Sequence, residues 1–138
     1  MSTASVTRRA HFNAAHRLHN PSQSDAWNEA TFGACNNPNF HGHNYELDVT
    51  VRGPIDPATG FVVDTAVLQD LIDEHVVKLL DHKNLNLDVA WFADHIPTAE
   101  HIAMFCWEQL ASRLPAGTMA NIRLWETPRN YVDYDGGT

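Results

Sequence analysis

The residues best suited to chemistry lie in one short run, Cys35-Asn-Asn-Pro-Asn-Phe-His41-Gly-His43. Side chains two apart on a strand project to the same face, so His41 and His43 can converge on one ion, with Gly42 between them relieving crowding. An open catalytic metal site needs a third imidazole and keeps a fourth position for water or substrate. His16 ends an alternating segment that starts at Val6. If that strand pairs antiparallel with the one beginning at His41, its end lies beside the other's start and His16 joins the pair. Neutral imidazoles suit zinc better than magnesium or calcium, which prefer oxygen. Spacing alone does not separate zinc from iron, nickel or copper, and a metal-free surface His-x-His pair is the plainer reading. His11, His19, His75, His95 and His101 lack such geometry and are expected to be structural or solvated.

Cys35 sits in a polar loop six residues before His41. A cation nearby would favour its thiolate, making it a base or nucleophile. Alternatively it is a fourth ligand that closes a structural site, although such sites usually carry several cysteines. Cys106 falls on the apolar side of a helical pattern and reads as an inert core residue. Asp81-His82 can relay protons, or can be an ordinary pair at the negative end of a helix. Glu126, near the end of a predicted strand, can accept two parallel hydrogen bonds from an amino-amidine edge such as that of a guanine or pterin, or can be simply an exposed acid. Glu100, in the first turn of a helix, is explained well enough by the helix dipole.

The elements that must position these groups follow from periodicity. His41 to Arg52 alternates, with Tyr45, Leu47, Val49 and Val51 on one face. Asn20 to Asn39 reads as a long loop, Asp56 to Gly60 as a turn, and Phe61 to Val63 as a possible extension of the hairpin. Asp64 caps a helix whose apolar residues Leu68, Leu71, Ile72, Val76 and Leu79 keep a 3.6-residue period through Leu80. Asp81 to Asp94 reads as loop. Pro97 and Thr98 open a second helix that Pro115 and Gly117 end. Met119 to Thr127 and Asn130 to Tyr134 form a closing hairpin. Two strands, two helices and two strands give an α+β class with an antiparallel sheet.

Size and charge exclude other classes. The 138 residues are expected to form one domain, 1–138, and 43% hydrophobic with 19% charged residues is ordinary for a folded chain. Nine basic against seventeen acidic residues give a net charge of −8. That charge disfavours nucleic acid and anionic membrane as partners. No apolar run is long enough to span a bilayer, and the first ten residues lack a signal-peptide core. A cytoplasmic location is expected, where Cys35 and Cys106 stay unpaired.

The run from Cys35 to Tyr45, with Phe12-Asn-Ala-Ala-His16-Arg17 before it, resembles the 6-pyruvoyltetrahydropterin synthase family. The similarity continues through Ile55-Asp-Pro-Ala-Thr-Gly60, Leu80-Asp-His-Lys-Asn-Leu85, Thr98-Ala-Glu100 and Trp125-Glu-Thr127. The resemblance implies a tunnelling fold (T-fold): a four-stranded antiparallel sheet with two helices on one face. Trimers would close a β-barrel and stack into a homohexamer, with active sites between subunits. It also implies roles. His16, His41 and His43 match zinc ligands, Cys35 the catalytic base, and Asp81 and His82 its relay partners. Glu126 matches the pterin anchor, and Thr98 and Glu100 lie in the segment that helps hold the ring. The substrate implied is 7,8-dihydroneopterin triphosphate, converted to 6-pyruvoyltetrahydropterin and triphosphate without an external redox cofactor.

Phe40 stands where the family commonly has glycine, Ala99 replaces a second threonine and His101 a common asparagine. The related 6-carboxytetrahydropterin synthases usually place their cysteine three residues before His-Gly-His; the Asn-Asn-Pro-Asn insert here favours the pyruvoyl enzyme. Rival readings are a non-catalytic zinc-containing module that binds a pterin or purine, and a hydrolase using metal-bound hydroxide. For the triphosphate, Arg17 and Lys83 are the candidates beside site residues, with Arg8 and Arg9 behind them.

Overall fold

The computed structural model describes residues 2–115 and 118–137. Gly117, expected to help end the second helix, lies outside the described residues. Strand β1 (Thr3–His16) pairs antiparallel with β2 (His41–Pro54) along its whole length, from Thr3 opposite Pro54 to His16 opposite His41. The register follows from burial. Phe12, Tyr45, Leu47, Val49 and Val51 are all fully buried on one face, and a slip of one residue would turn that face to water. Strands β4 (Met119–Thr127) and β5 (Asn130–Tyr134) extend the sheet antiparallel from β2.

The helix expected after Asp64 runs from Thr65 to Leu80 in three pieces: α2 (Thr65–Ile72), a π turn (Asp73–Val77) and α3 (Lys78–Leu80). The Asp64 carboxylate caps it by accepting the Ala66 amide. The other long helix, Ala99–Ala111, starts at Thr98, whose hydroxyl accepts the His101 amide. Leu68, Ile72, Val76 and Leu80 from the first helix, with Ile102, Phe105, Cys106 and Leu110 from the second, join the buried face of the sheet in one core. Cys106 is fully buried, and burial pushes its thiol pKa up to about 12.

Four expectations need correction. The segment Asn20 to Asn39 is not all loop: it holds α1 (Asp25–Phe32) and a 3₁₀ turn (Gly33–Asn36). This helix has no apolar stripe to advertise it. Its one buried residue is Asn28, whose amide bonds the Asn20 backbone at both N–H and C=O and donates to the Ser24 carbonyl. The segment Asp81 to Asp94 contains a two-residue strand β3 (Lys83–Asn84), α4 (Leu85–Asp88) and a 3₁₀ turn (Ala90–Ala93). Strand β3 pairs parallel with Ala14 and Ala15, so the sheet is mixed and five-stranded, ordered β3-β1-β2-β4-β5, rather than four-stranded and antiparallel. Phe61 to Val63 adds no strand; the Asp56 amide donates to the Phe61 carbonyl and closes a turn there. With the helix Ala99–Ala111 numbered α5, the order is β1, α1, β2, α2, α3, β3, α4, α5, β4, β5.

The opposite face of the sheet carries no helix among the described residues; its ion pairs and hydrogen bonds surround the Trp125 and Tyr131 rings. Arg9 pairs with Asp48 at 2.7 Å, Arg123 with Asp133 at 2.8 Å, and Asn13 donates to Asn44 at 2.6 Å. No helix among the described residues is long and apolar enough to cross a membrane.

Candidate metal centre and adjoining clefts

The antiparallel register brings the last residue of β1 opposite the first of β2, and so His16 beside His41. His43 stands opposite Ala14, whose methyl leaves room for the ring to turn toward His16. The three imidazoles form a near-equilateral triangle on the core side of the hairpin end. Their centroids are 4.6, 5.2 and 5.0 Å apart and their planes stand 64–89° to one another. One nitrogen from each ring lies within 4.8 Å of the others.

Hydrogen bonding shows what this triangle lacks. His16 Nδ1 lies 2.7 Å from the Pro97 carbonyl, which makes it the donor and turns the Nε2 lone pair inward, 3.0 Å from His41 Nε2. His41 Nδ1 and His43 Nε2 are buried with no partner. Buried polar nitrogens are rarely left orphaned. A tetrahedral cation with bonds of about 2.0–2.1 Å would set its ligand nitrogens about 3.3 Å apart and take one nitrogen from each ring. Burial, opposed by the Pro97 carbonyl and aided by the two neighbouring imidazoles, lowers the His16 pKa to about 4. His41 is lowered too, chiefly by burial, with His43 adding to it and Glu126 opposing. Both rings are therefore neutral near pH 7, the form that binds a metal. The donor set fits a single divalent ion.

Cys35 is half-buried and free of any disulfide. Its carbonyl accepts the Leu18 amide at 2.9 Å, and the next residue, Asn36, accepts Arg17 Nε and donates to the Leu18 carbonyl. The cysteine loop is thereby strapped to the residues that directly follow His16. Tyr45, two residues after His43, was not singled out in the sequence as more than core. Its hydroxyl lies 3.4 Å from His16 Nδ1. Burial pushes its pKa up, and the charges of Glu126 and Cys35 push it further.

Glu126 sits at an irregularity between Trp125 and Thr127 in the β4–β5 pairing, and its charge reaches His41 and Tyr45. Together with His43, Trp125 and Thr127 it lines a cleft of about 660 Å³, a size suited to a small organic molecule. Asp81 and His82 lie on the other flank, clamped to β1. The Asp81 carboxylate accepts the Asn13 amide at 2.8 Å and the His82 Nδ1–H at 2.9 Å, and the His82 amide donates to the Asn13 carbonyl. The Asn13 amide, followed by the His82 imidazole, holds the Asp81 carboxyl below its ordinary pKa. His82 and His43 border one open cleft, but no hydrogen bond joins Cys35 to Asp81 or His82. The His82 side chain is 81% exposed. Thr98 caps α5 and Glu100 is exposed in its first turn; Pro97 brings that segment to His16.

Among the described residues two non-glycines have positive φ, Phe40 at 68° and His82 at 59°. Such backbone costs about 1–3 kcal/mol and gathers at functional sites. One precedes a candidate ligand and the other is a candidate proton carrier. Neither is visible in composition or periodicity, and the Pro97 carbonyl that orients His16 has no sequence signal either.

A mixed sheet backed by two long helices defines an α+β protein, and three convergent imidazoles at the end of its central hairpin form a group able to hold a metal ion. The family model for 6-pyruvoyl tetrahydropterin synthase matches residues 5–137. The 6-pyruvoyl tetrahydrobiopterin synthase of Homo sapiens is 47% identical over 96% of this chain and 92% of its own, and that of Drosophila melanogaster is 44% identical over 96% and 80%. The solved 6-pyruvoyl tetrahydropterin synthase of Caenorhabditis elegans superposes with a TM-score of 0.95 at 40% identity, covering 99% of this chain and 98% of that one. The chain belongs to the 6-pyruvoyl tetrahydropterin synthase family, and it is an enzyme of the lyase type.

Proposed function

We propose that the chain converts 7,8-dihydroneopterin triphosphate to 6-pyruvoyltetrahydropterin with release of triphosphate. The observation that carries this reading is the meeting of three groups: an imidazole triangle with orphaned nitrogens, a thiol loop strapped beside it, and a carboxylate in the adjoining cleft. His16, His41 and His43 would hold zinc, which supplies Lewis-acid polarisation of the substrate's side-chain hydroxyls.

The protein's own residues do the rest. The Glu126 carboxylate accepts two N–H bonds from the pterin amino-amidine edge and so fixes the ring. Thr98 and Glu100 belong to the segment that helps hold it. Cys35 takes the proton from a side-chain carbon, and the electron pair leaves with triphosphate. Asp81 and His82 carry protons for the later transfers from side chain to ring. The side chain is oxidised as the ring is reduced, so the balance closes without an external redox partner.

Because no hydrogen bond joins His82 to Cys35 within one chain, the relay pair that meets Cys35 would come from a neighbouring subunit of a homohexamer. The free outer edges of β5 and of β1 before Ala14 support such closure, since exposed edges seek partners. Two free cysteines support a cytoplasmic location.

Anaerobic incubation with dihydroneopterin triphosphate, followed by mass spectrometry, tests the reaction. A 6-pyruvoyl product supports it. A 6-carboxy product or mere hydrolysis overturns it. Cys35→Ala is expected to lower turnover at least about a thousandfold with metal content unchanged; undiminished turnover would remove Cys35 as the base.

A further inference from the structure

Three polar residues are buried among the described ones: His16, Asn28 and Asn36. His16 is a candidate ligand, and Asn28 ties the Asn20 backbone to α1. Asn36 has no part in the reading above, yet it directly follows Cys35. A polar side chain stays out of water only where its hydrogen bonds offset the loss.

The bonds that Asn36 makes outside its own turn run to one segment. Its Nδ2 donates one proton to the Leu18 carbonyl at 2.8 Å and the other to His19 Nδ1 at 2.9 Å. The Asn36 carbonyl accepts Arg17 Nε at 2.8 Å, and the Cys35 carbonyl accepts the Leu18 amide at 2.9 Å. The other flank of the segment is closed by Asn86, whose side chain accepts the Arg17 amide at 2.8 Å and donates to the Arg17 carbonyl at 2.9 Å. Residues 17–19 thus continue β1 past His16 and are held from both sides. In the other direction the Cys35 loop reaches His41 through a turn in which the Phe40 amide donates to the Asn37 carbonyl. That bond is local and does not fix the loop against the sheet. No hydrogen bond among the described residues reaches the Cys35 thiol, so the sulfur is placed through the backbone beside it.

We propose that Asn36 is the positioning residue for the candidate base: its amide fixes the Cys35 loop to the segment leaving His16, and so sets the distance from the thiol to an ion in the triangle. This rests on the reading of Cys35 given above. Both Nδ2 protons are spent on one braced segment, which leaves the loop little freedom to swing. Proton transfer demands such placement, because a displacement of about 1 Å can cost about a hundredfold in rate.

The test is the rate at which iodoacetamide alkylates Cys35 in the assembled protein, taken as the ratio of zinc-loaded to metal-free rates. Cys106 is fully buried and does not compete. A cation beside a thiol favours the reactive thiolate, so a wild-type ratio of about ten is expected. In Asn36→Ala the ratio is expected to fall to about one and kcat to fall by about ten- to a hundredfold, with metal content unchanged. KM for the pterin triphosphate should hold, because Asn36 does not line the cleft of Glu126. Asn28→Ala breaks bonds of the same kind at an equally buried position and is expected to keep the wild-type ratio; a loss of stability alone leaves the ratio where it is. If Asn36→Ala does not fold, His19→Ala decides: it removes one of the two acceptors at a half-buried position and is expected to lower the ratio about twofold. The wild-type ratio in whichever variant folds overturns Asn36 as the positioning residue and leaves the proposed reaction standing. A ratio near one in wild-type protein overturns it as well. A ratio that collapses in Asn36→Ala, in a protein that makes no pyruvoyl product, upholds the positioning and overturns the reaction instead.

Discussion

The molecule carries two groups of three histidines, and they do opposite things. His16, His41 and His43 point their nitrogens at one another and leave two of them without partners. His19, His95 and His101 line a single cleft, yet each ring is tied down. His95 Nδ1 bonds the Trp91 carbonyl at 2.9 Å and its ring stacks on Trp91 at 3.7 Å. His101 Nδ1 bonds the Ile96 carbonyl at 2.7 Å, and His19 Nδ1 meets the Asn36 amide. A histidine becomes a ligand when its neighbours orient one nitrogen and abandon the other. His16 meets that condition through Pro97 and two facing imidazoles, whereas His95 and His101 bond local carbonyls and do not converge with a third ring. Number of histidines is therefore a poor guide, and register is a good one.

The strongest way to break the comparison is to exchange the fates of the two groups. His43→Ala removes an orphaned nitrogen from the triangle, and bound metal is expected to fall from about one per chain to near zero, with turnover lost at least about a thousandfold. His95→Ala is expected to leave metal content unchanged. Elemental analysis of both variants checks this, and metal lost equally from both would erase the distinction.

How far the two groups could be told apart from sequence is uneven. His41 and His43 were legible because a strand has a period of two, and His16 because an antiparallel hairpin puts its end beside their start. The alternation that makes β2 a strand also fixes the register, so the fold and the triangle came from the same signal. Helix α1 was hidden because its support is capping and a buried Asn28 amide rather than apolar spacing. Strand β3 was hidden because two residues have no period at all. The Pro97 carbonyl, the strained φ of Phe40 and His82, and the separation of Cys35 from His82 are tertiary facts with no local pattern behind them.

A pH titration of the metal-free protein sharpens the contrast at intermediate scale. His16 has a pKa of about 4 when folded and an ordinary value near 6.5 when unfolded. Between those values the unfolded chain binds the proton and the folded chain does not. The contribution of His16 is therefore fully present above pH 6.5 and is lost as pH falls toward 4. The full shift corresponds to about 3 kcal/mol. Denaturant unfolding at pH 7 and pH 4.5 measures it, with His16→Gln as the reference that should show a shallower pH slope in this window, His41 supplying part of what remains. Excess zinc is expected to raise stability at pH 7 and to do so less at pH 4.5, because protons compete for the same nitrogens.

The smallest effect belongs to the second group. His101 anchors the start of α5: its ring bonds the Ile96 carbonyl while its amide is capped by the Thr98 hydroxyl. His101→Ala keeps the cap and removes only the ring bond, so destabilisation of about 1–2 kcal/mol is expected, read as a lower denaturant midpoint. His101→Asn, whose amide can donate to the same carbonyl, should recover part of it. Metal content should be unchanged in both, because Pro97 stays held by the buried chain around it. If His101→Ala also lowered zinc affinity by tenfold or more, the Ile96–Pro97 segment would be transmitting strain to the His16 ring, and the two groups of histidines would be one coupled unit rather than two.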